Sequence, residues 1–136
     1  MSEVDKKPGI GLKNERGIFG CLIAGDVLFL LKENIIVNIN SNNKKHSGKS
    51  RKLHKTMSRL LIYFIDNRET HIIKIDDLLF YVWDSHELQS SRHRLLKTIH
   101  TLWLHLVYIG VPEKFISHID NDCFVVKWGF VKVIYF

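Results

Sequence analysis

Short apolar runs alternate with polar breaks in the first third of the chain. Between residues 18 and 39, three runs rich in Ile, Val, Leu and Phe are separated by Gly25-Asp26 and by Lys32-Glu33-Asn34. Turn residues between such runs are typical of a small antiparallel meander. Residues 40–52 contain no large apolar side chain, so we predict a loop there.

Apolar residues then recur at the three- and four-residue spacing of helices. This spacing predicts a first helix over residues 53–65 and a second over residues 75–83, with a short strand at residues 71–73 between them. A third helix is predicted over residues 90–109. Gly110 is suited to end it, because glycine readily adopts the left-handed conformation of a helix cap. The predicted buried stripe of this helix is Leu95, Ile99, Leu102, Leu106 and Ile109.

Two strand-like runs follow the third helix. Residues 115–119 and 123–128 flank Asp120-Asn121-Asp122 and predict a β-hairpin. Residues 130–136 fit either a last strand packed on the sheet or the remnant of a longer relative. The order of meander, three helices and hairpin predicts an α+β fold.

The length of the chain limits the number of domains, and its net charge indicates the kind of partner. With 136 residues, 46% of them hydrophobic, the chain can bury one core. We therefore predict a single domain over residues 17–136 after a flexible lead-in at residues 1–16. The 20 Lys and Arg residues exceed the 14 Asp and Glu residues and give a net charge of +6, which favours a polyanionic partner.

The motifs and segments that the sequence lacks indicate the cellular compartment of the protein and the kinds of site that it does not contain. Cys21 and Cys123 form no paired motif, the first residues do not resemble a signal peptide, and the apolar runs are too short to span a bilayer. A soluble cytoplasmic protein with no membrane partner is expected. The eight histidines show no metal-ligand spacing, and no nucleotide-binding, zinc-protease or nucleophile motif occurs. We predict neither an enzyme nor a metal or other cofactor.

Positive charge concentrates on the predicted third helix, since no Asp or Glu occurs from residue 88 to residue 112. With Ile99 at the centre of the buried stripe, helical rotation places polar and basic side chains on the far side. Such side chains donate hydrogen bonds to base edges and phosphates. The predicted contacts with a nucleic-acid groove come from Arg92, His93, Arg94, Lys97, His100 and Thr101. An ordinary solvated helix face is the alternative interpretation.

Three stretches resemble motifs of one known family. Residues 53–61, LHKTMSRLL, resemble the start of the first helix in the OmpR/PhoB-type transcriptional regulatory DNA-binding domain. Residues 73–78, IKIDDL, followed by Val82-Trp83, resemble the V-[ST]-x-E-E-L-x-x-x-V-W motif of that family, and residues 99–102, IHTL, resemble its I-x-x-L-R. The resemblance covers residues 20–128 and is nearest to the ToxR-like branch, so we expect no receiver domain.

The resemblance implies a winged helix-turn-helix fold, in which the predicted hairpin is the wing. The implied function is a bacterial transcription regulator that binds double-stranded DNA sequence-specifically, with the third helix in the major groove. A homodimer on DNA and a contact with RNA polymerase through residues 84–89 are also implied. The first helix of such a fold crosses the phosphate backbone, and residues 44–59 contain seven Lys or Arg residues and no acid. Backbone contacts are therefore predicted from Lys49, Arg51, Lys52 and Lys55, whereas a basic loop that only improves solubility is the alternative.

The chain also departs from the family pattern. Trp103 stands where the family has the arginine of I-x-x-L-R, and Asn121-Asp122-Cys123-Phe124 replaces a G-x-G-Y turn in the wing. Asp120 and Asp122 make the tip acidic, so we expect phosphate to repel it. An alternative function is a winged-helix module that binds protein and modulates another regulator, through Leu104 and Tyr108 on the exposed side of the third helix. The aromatic residues Phe80, Trp83 and Trp103 are predicted to lie in the core.

Overall fold

The computed structural model describes residues 18–69, 72–82, 92–120 and 122–135. Over these residues the protein is an α+β fold with three helices and two antiparallel sheets, which confirms the predicted class. The predicted lead-in at residues 1–16, the loop at residues 84–89 and Trp83 lie outside the described residues.

The helices have nearly the predicted bounds: α1 is Lys55–Asp66, α2 is Ile75–Val82 and α3 is Arg92–Tyr108. The strands are β1 (Ile18–Ile23), β2 (Val27–Leu30), β3 (Ile35–Asn38), β4 (Ser50–Lys52), β5 (Ile73–Lys74), β6 (Ile116–Asp120), β7 (Cys123–Val126) and β8 (Val131–Tyr135). Short 3₁₀ turns at Glu113–Phe115 and Trp128–Phe130 precede β6 and β8.

The larger sheet has the strand order β4-β3-β2-β1-β8. Its first three strands in sequence are the predicted meander. The prediction of a loop throughout residues 40–52 is wrong at its end, because β4 pairs with β3 and places Arg51 opposite Ile36. This pairing uses backbone groups, so it needs no apolar side chain in β4. The ambiguous C-terminal segment is a strand: β8 pairs with β1, and Val133 lies opposite Cys21.

The smaller sheet has the strand order β5-β7-β6 and contains the predicted hairpin, β6–β7. The short strand β5, which precedes α2, pairs with β7 and places Ile73 opposite Phe124. The sheet thus joins the entry of α2 to the hairpin. Phe124 also packs edge-on against Phe64 of α1, with ring centroids 5.9 Å apart, so the hairpin is anchored in the core.

The core confirms most of the predicted helix faces. Leu95, Ile99, Leu102, Leu106 and Ile109 are all buried, as are Ile75 and Leu78 of α2. Phe80 is 64% exposed, so its assignment to the core is wrong. It follows Leu78 by two residues, which is about 200° of helix rotation, and it therefore lies on the opposite side of α2.

Gly110 ends α3 as predicted, with φ +108°. A Cβ atom at this position would lie 2.8 Å from Nδ2 of Asn38, so the glycine also permits a close approach between α3 and the larger sheet. The buried Asn38 side chain donates through Nδ2 to the carbonyl of Ile109 at 2.7 Å. The end of α3 is thereby fixed on β3.

Candidate nucleic-acid interface

The exposed face of α3 carries a row of five side chains. Rotation of about 100° per residue from Ile99 places this row opposite the buried stripe. We call this row the outer stripe, and its members are Arg94, Lys97, Thr101, Leu104 and Tyr108. Arg94 and Lys97 are exposed, and Leu104 and Tyr108 are 49% and 39% exposed. The stripe is cationic near its N-terminal end and apolar toward its C-terminal end.

Two cations from outside the helix lie over the ring of Tyr108. The Lys49 ammonium is 4.5 Å from the centre of the Tyr108 ring, and the guanidinium carbon of Arg51 is 3.9 Å from it. Both distances fall within the range of cation–π interactions. The apolar end of the outer stripe therefore also has positive charge beside it, supplied by β4 and the residue before it.

The loop between β3 and β4 contacts the end of α3 through one side chain and is itself held by backbone hydrogen bonds to β3. Nδ1 of His46 lies 3.1 Å from the carbonyl oxygen of Tyr108. The amides of Asn38 and Gly48 donate to the carbonyls of Lys49 and Asn38, both at 2.9 Å. Lys49 is consequently held beside the helix by backbone geometry.

The structure separates the four residues predicted to contact the DNA backbone into two pairs. Lys49 and Arg51 lie at the outer stripe. Lys52 is exposed and, as the next residue of β4, points to the other face of the strand from Arg51. Lys55 lies in a depression lined by Leu31 and other residues of the β2–β3 turn and by α1. Lys52 and Lys55 are thus not brought together with Tyr108.

Arg92, the first residue of α3, contacts the tip of the hairpin. Its guanidinium forms an ion pair with the carboxylate of Asp122, and the two side chains are 44% and 71% exposed. The backbone of Asp122 also accepts a hydrogen bond from the amide of Ile75 at 2.8 Å, and its own amide donates to Asp120 Oδ1 at 2.8 Å. The acidic tip is therefore tied to the N-terminal ends of α2 and α3.

The remaining predicted contacts flank or join the outer stripe. His93 is exposed, and helical rotation places it beside the outer stripe. His100 lies on the same side, and its ring stacks on that of Trp103, with centroids 5.9 Å apart. Thr101 is half-buried, and its hydroxyl donates to the carbonyl of Lys97 at 3.1 Å.

Trp103 does not lie in the core, so its predicted burial is wrong. It is half-buried, and its indole Nε1 donates to the carbonyl of Glu113 at 2.9 Å. One side of the indole faces a groove of about 830 Å³ between α3 and the β6–β7 hairpin, which we call the hairpin groove. Its lining residues are Leu96, Ile99, His100, Trp103, Pro112, Glu113, Lys114, Ile116, Ser117, His118 and Phe124.

Burial shifts the pKa of a histidine near the end of α3 and of a cysteine in the larger sheet. The pKa of His105 is lowered, first by partial burial and then by the nearby charges of Arg51 and His54. Burial raises the pKa of the Cys21 thiol to about 12. The lowered pKa favours the neutral form of His105, and Cys21 is a thiol rather than a thiolate.

Sequence reasoning missed the contact of Lys49 and Arg51 with Tyr108. The two-residue spacing of Lys49 and Arg51 could have indicated it, because side chains two residues apart lie on one face of an extended strand. That inference requires residues 50–52 to be recognised as a strand. The hairpin groove was also missed, because it depends on how far the hairpin stands from α3.

No group of three or more His, Cys, Asp or Glu side chains that could hold a metal ion occurs in the part of the chain that the structure describes. Over the same residues, no helix has the length and apolar character needed to cross a membrane. A scan against models of known protein families finds no match for this chain, and a search of curated proteins finds none either.

Proposed function

We propose that the chain is a winged helix-turn-helix domain similar to the OmpR/PhoB type and its ToxR-like branch. In this proposal α2 and α3 form the helix-turn-helix, and the β6–β7 hairpin is the wing. The order of three helices and a hairpin after an antiparallel meander supports it. The pairing of β5 with β7 supports it further, because it ties the entry of α2 to the wing.

The proposed function is sequence-specific binding of double-stranded DNA by a transcription regulator. One observation carries it: the outer stripe of α3 has Arg94 and Lys97 at one end and the cations of Lys49 and Arg51 at the other. Lys97 and Tyr108 are about 16 Å apart along the helix, at about 1.5 Å per residue. A major groove about 12 Å wide admits such a helix, and its flanking phosphates then meet cations along the length of α3.

Within this proposal the residues have different roles. Arg94 and Lys97 donate to base edges or phosphates, and Lys49 and Arg51 contact the phosphate backbone. The ion pair of Arg92 with Asp122 offsets part of the expected repulsion of the tip by phosphate. A homodimer on DNA and a contact of residues 84–89 with RNA polymerase stay predictions of the resemblance.

The test begins with the purified chain and a library of random double-stranded DNA. We expect sequencing of the bound fraction to yield one enriched motif. Binding to that motif, measured by fluorescence anisotropy, is expected to weaken steeply with salt, because each neutralised phosphate releases a counterion. Failure to enrich any motif contradicts the proposal.

A charge-reversed variant then tests the outer stripe. Arg94→Glu combined with Lys97→Glu is expected to weaken binding to the motif at least about 100-fold, since each base contact contributes roughly 1–3 kcal/mol. Lys127→Glu combined with Lys132→Glu changes the net charge equally at two exposed lysines outside α3, and is the matched control. Equal losses in the two variants would show that α3 is not the reading helix. Circular dichroism of both variants verifies that they fold.

A protein-interaction module is the second candidate function. Leu104 favours it, because this apolar side chain is 49% exposed in the middle of the outer stripe and can form no hydrogen bond with base edges or phosphates. This candidate predicts that the random library gives no motif and that the charge-reversed variant loses only weak, salt-sensitive binding. The library selection therefore distinguishes the two functions.

A further inference from the structure

The hairpin groove has the size and lining of a small-molecule site. Its volume of about 830 Å³ falls within the range of roughly 300–1,000 Å³ that is usual for ligand pockets. Leu96, Ile99 and Ile116 form an apolar floor, of which Ile99 and Ile116 are buried. Polar side chains lie at its rim. Ligand sites usually combine an apolar lining with a few polar groups that orient the ligand.

Two pairs of stacked rings stand on the two sides of the groove. On α3, His100 stacks on Trp103 with an interplanar angle of 18°. On the hairpin, the exposed ring of His118 stacks on the buried ring of Phe124, with centroids 4.5 Å apart and an angle of 14°. Aromatic rings contact one another favourably in offset or edge-on arrangements, so these walls suit a flat aromatic ligand.

Both walls are held in place from outside the groove. The hydrogen bond from the Trp103 indole to the carbonyl of Glu113 fixes the plane of the indole ring. Phe124 is fixed by its edge-on contact with Phe64 of α1. Because neither ring is free to turn into the space between them, the groove is preformed and a ligand does not have to open it.

The charge at the rim favours an anion. Lys114 is exposed at the groove, and the imidazoles of His100 and His118 add hydrogen-bond donors. Glu113 is the one acid among the lining residues that the structure describes. No acid lies on α3, so an anionic group near Lys114 is not repelled from the helix side.

We propose that the hairpin groove binds a planar aromatic anion, a carboxylate or sulfonate. The ring system lies between the two aromatic walls, and the anionic group meets Lys114. This site is separate from the outer stripe, and its occupation does not depend on whether the chain binds DNA.

The experiment uses 8-anilinonaphthalene-1-sulfonate as the probe and N-phenyl-1-naphthylamine as its uncharged counterpart. We expect the sulfonate to bind the full chain saturably at one site, measured by fluorescence titration and calorimetry, and the uncharged compound to bind several-fold more weakly. Two-dimensional NMR is expected to show shifts of the His100 and His118 rings while the spectrum keeps its native dispersion. Binding at several sites, or equal binding of the two compounds, overturns the proposal.

Two variants locate the ligand. Lys114→Met is expected to weaken sulfonate binding about threefold without changing the binding of the uncharged compound, as for an exposed ion pair. Lys127→Met, an exposed lysine outside the groove lining, is the matched control. Leu96→Trp fills the groove from α3, where Leu96 is a half-buried lining residue, and is expected to abolish binding. Unchanged sulfonate binding in both Lys114→Met and Leu96→Trp places the probe elsewhere and overturns the proposal.

Discussion

The guanidinium carbon of Arg51, on the edge strand β4, lies 3.9 Å from the centre of the Tyr108 ring at the end of α3. This contact joins a strand of the larger sheet to the helix that the proposed function depends on. It also explains why Tyr108, although 39% exposed, is not a loose side chain.

Loss of this contact is expected to lower the stability of the fold by a measurable amount. Arg51→Ala is expected to lower the free energy of unfolding by about 1 kcal/mol, because a cation–π contact at a partly exposed site is worth roughly that much. Lys52→Ala is the matched control, since Lys52 is exposed on the other face of the same strand. Its effect is expected to stay within about 0.5 kcal/mol. Urea unfolding measures both, and equal effects would contradict the assigned role of Arg51.

The titration of His105 reports the same neighbourhood. Its pKa is expected to lie below the usual value of about 6.5, because burial and the positive charge of Arg51 disfavour the imidazolium. Arg51→Ala is expected to raise this pKa, and NMR titration of the His105 ring measures the change. A pKa that does not move in this variant would mean that Arg51 exerts no field at His105.

The sign of the pH dependence of stability follows from the lowered pKa. Between the folded and unfolded pKa values of His105 the unfolded chain binds more protons, so the free energy of unfolding rises with pH. The contribution of His105 is complete above the unfolded pKa of about 6.5 and is lost as the pH falls below it. The difference between the unfolding curves of the native chain and a His105→Gln variant, at several pH values, is expected to follow this course.

The ion pair between Arg92 and Asp122 gives a prediction for the hairpin tip. Asp122→Asn is expected to change the free energy of unfolding by less than about 1 kcal/mol, because both side chains are more than a third exposed. Under the proposed function it strengthens DNA binding, since it removes a negative charge beside phosphate. Glu33→Gln, in the exposed β2–β3 turn, makes the same change of charge away from α3 and is the control. If both variants gain affinity equally, only net charge matters.

The two thiols are expected to differ in reactivity. Cys21 is fully buried and burial raises its thiol pKa to about 12. The pKa of the Cys123 thiol on β7 is also raised, by burial and by the nearby Asp120 and Asp122, but its side chain is only half-buried and therefore within reach of a reagent. Iodoacetamide at pH 8 is expected to label Cys123 in the native protein and Cys21 only after denaturant is added. Peptide mass spectrometry gives the extent at each site. Rapid native labelling of Cys21 would contradict its place in the larger sheet.

The periodic elements could be predicted from the sequence because their apolar positions decide their structure. The stripe from Leu95 to Leu106 predicts a helix, and the runs of the meander predict strands, with little room for another secondary structure. Strand β4 could not be found in this way, since Arg51 and its neighbours pair through backbone groups alone. The predicted burial of Phe80 and Trp103 is wrong because helical spacing shows only which side chains share a face of the helix. Whether another element packs against that face depends on the rest of the fold.

The sequence predicts that the candidate site is basic, but it does not predict which basic side chains lie together. The charge of α3 and of the segment before α1 is evident from the residues. That Lys49 and Arg51 reach Tyr108 while Lys52 faces away depends on the register of β4 against β3. A shift of one residue would exchange the faces of Arg51 and Lys52, and charge counting cannot detect such a shift.

The pairing of β8 with β1 has a consequence for how the chain folds. Val133 and Cys21 are neighbours in the sheet but lie at opposite ends of the described sequence. The entropy cost of closing so long a loop is not repaid until much of the core has formed. We expect β8 to add late, after α1 and the meander have packed, so that β1 presents an unpaired edge during synthesis. Folding intermediates of this protein are therefore most exposed to aggregation along β1.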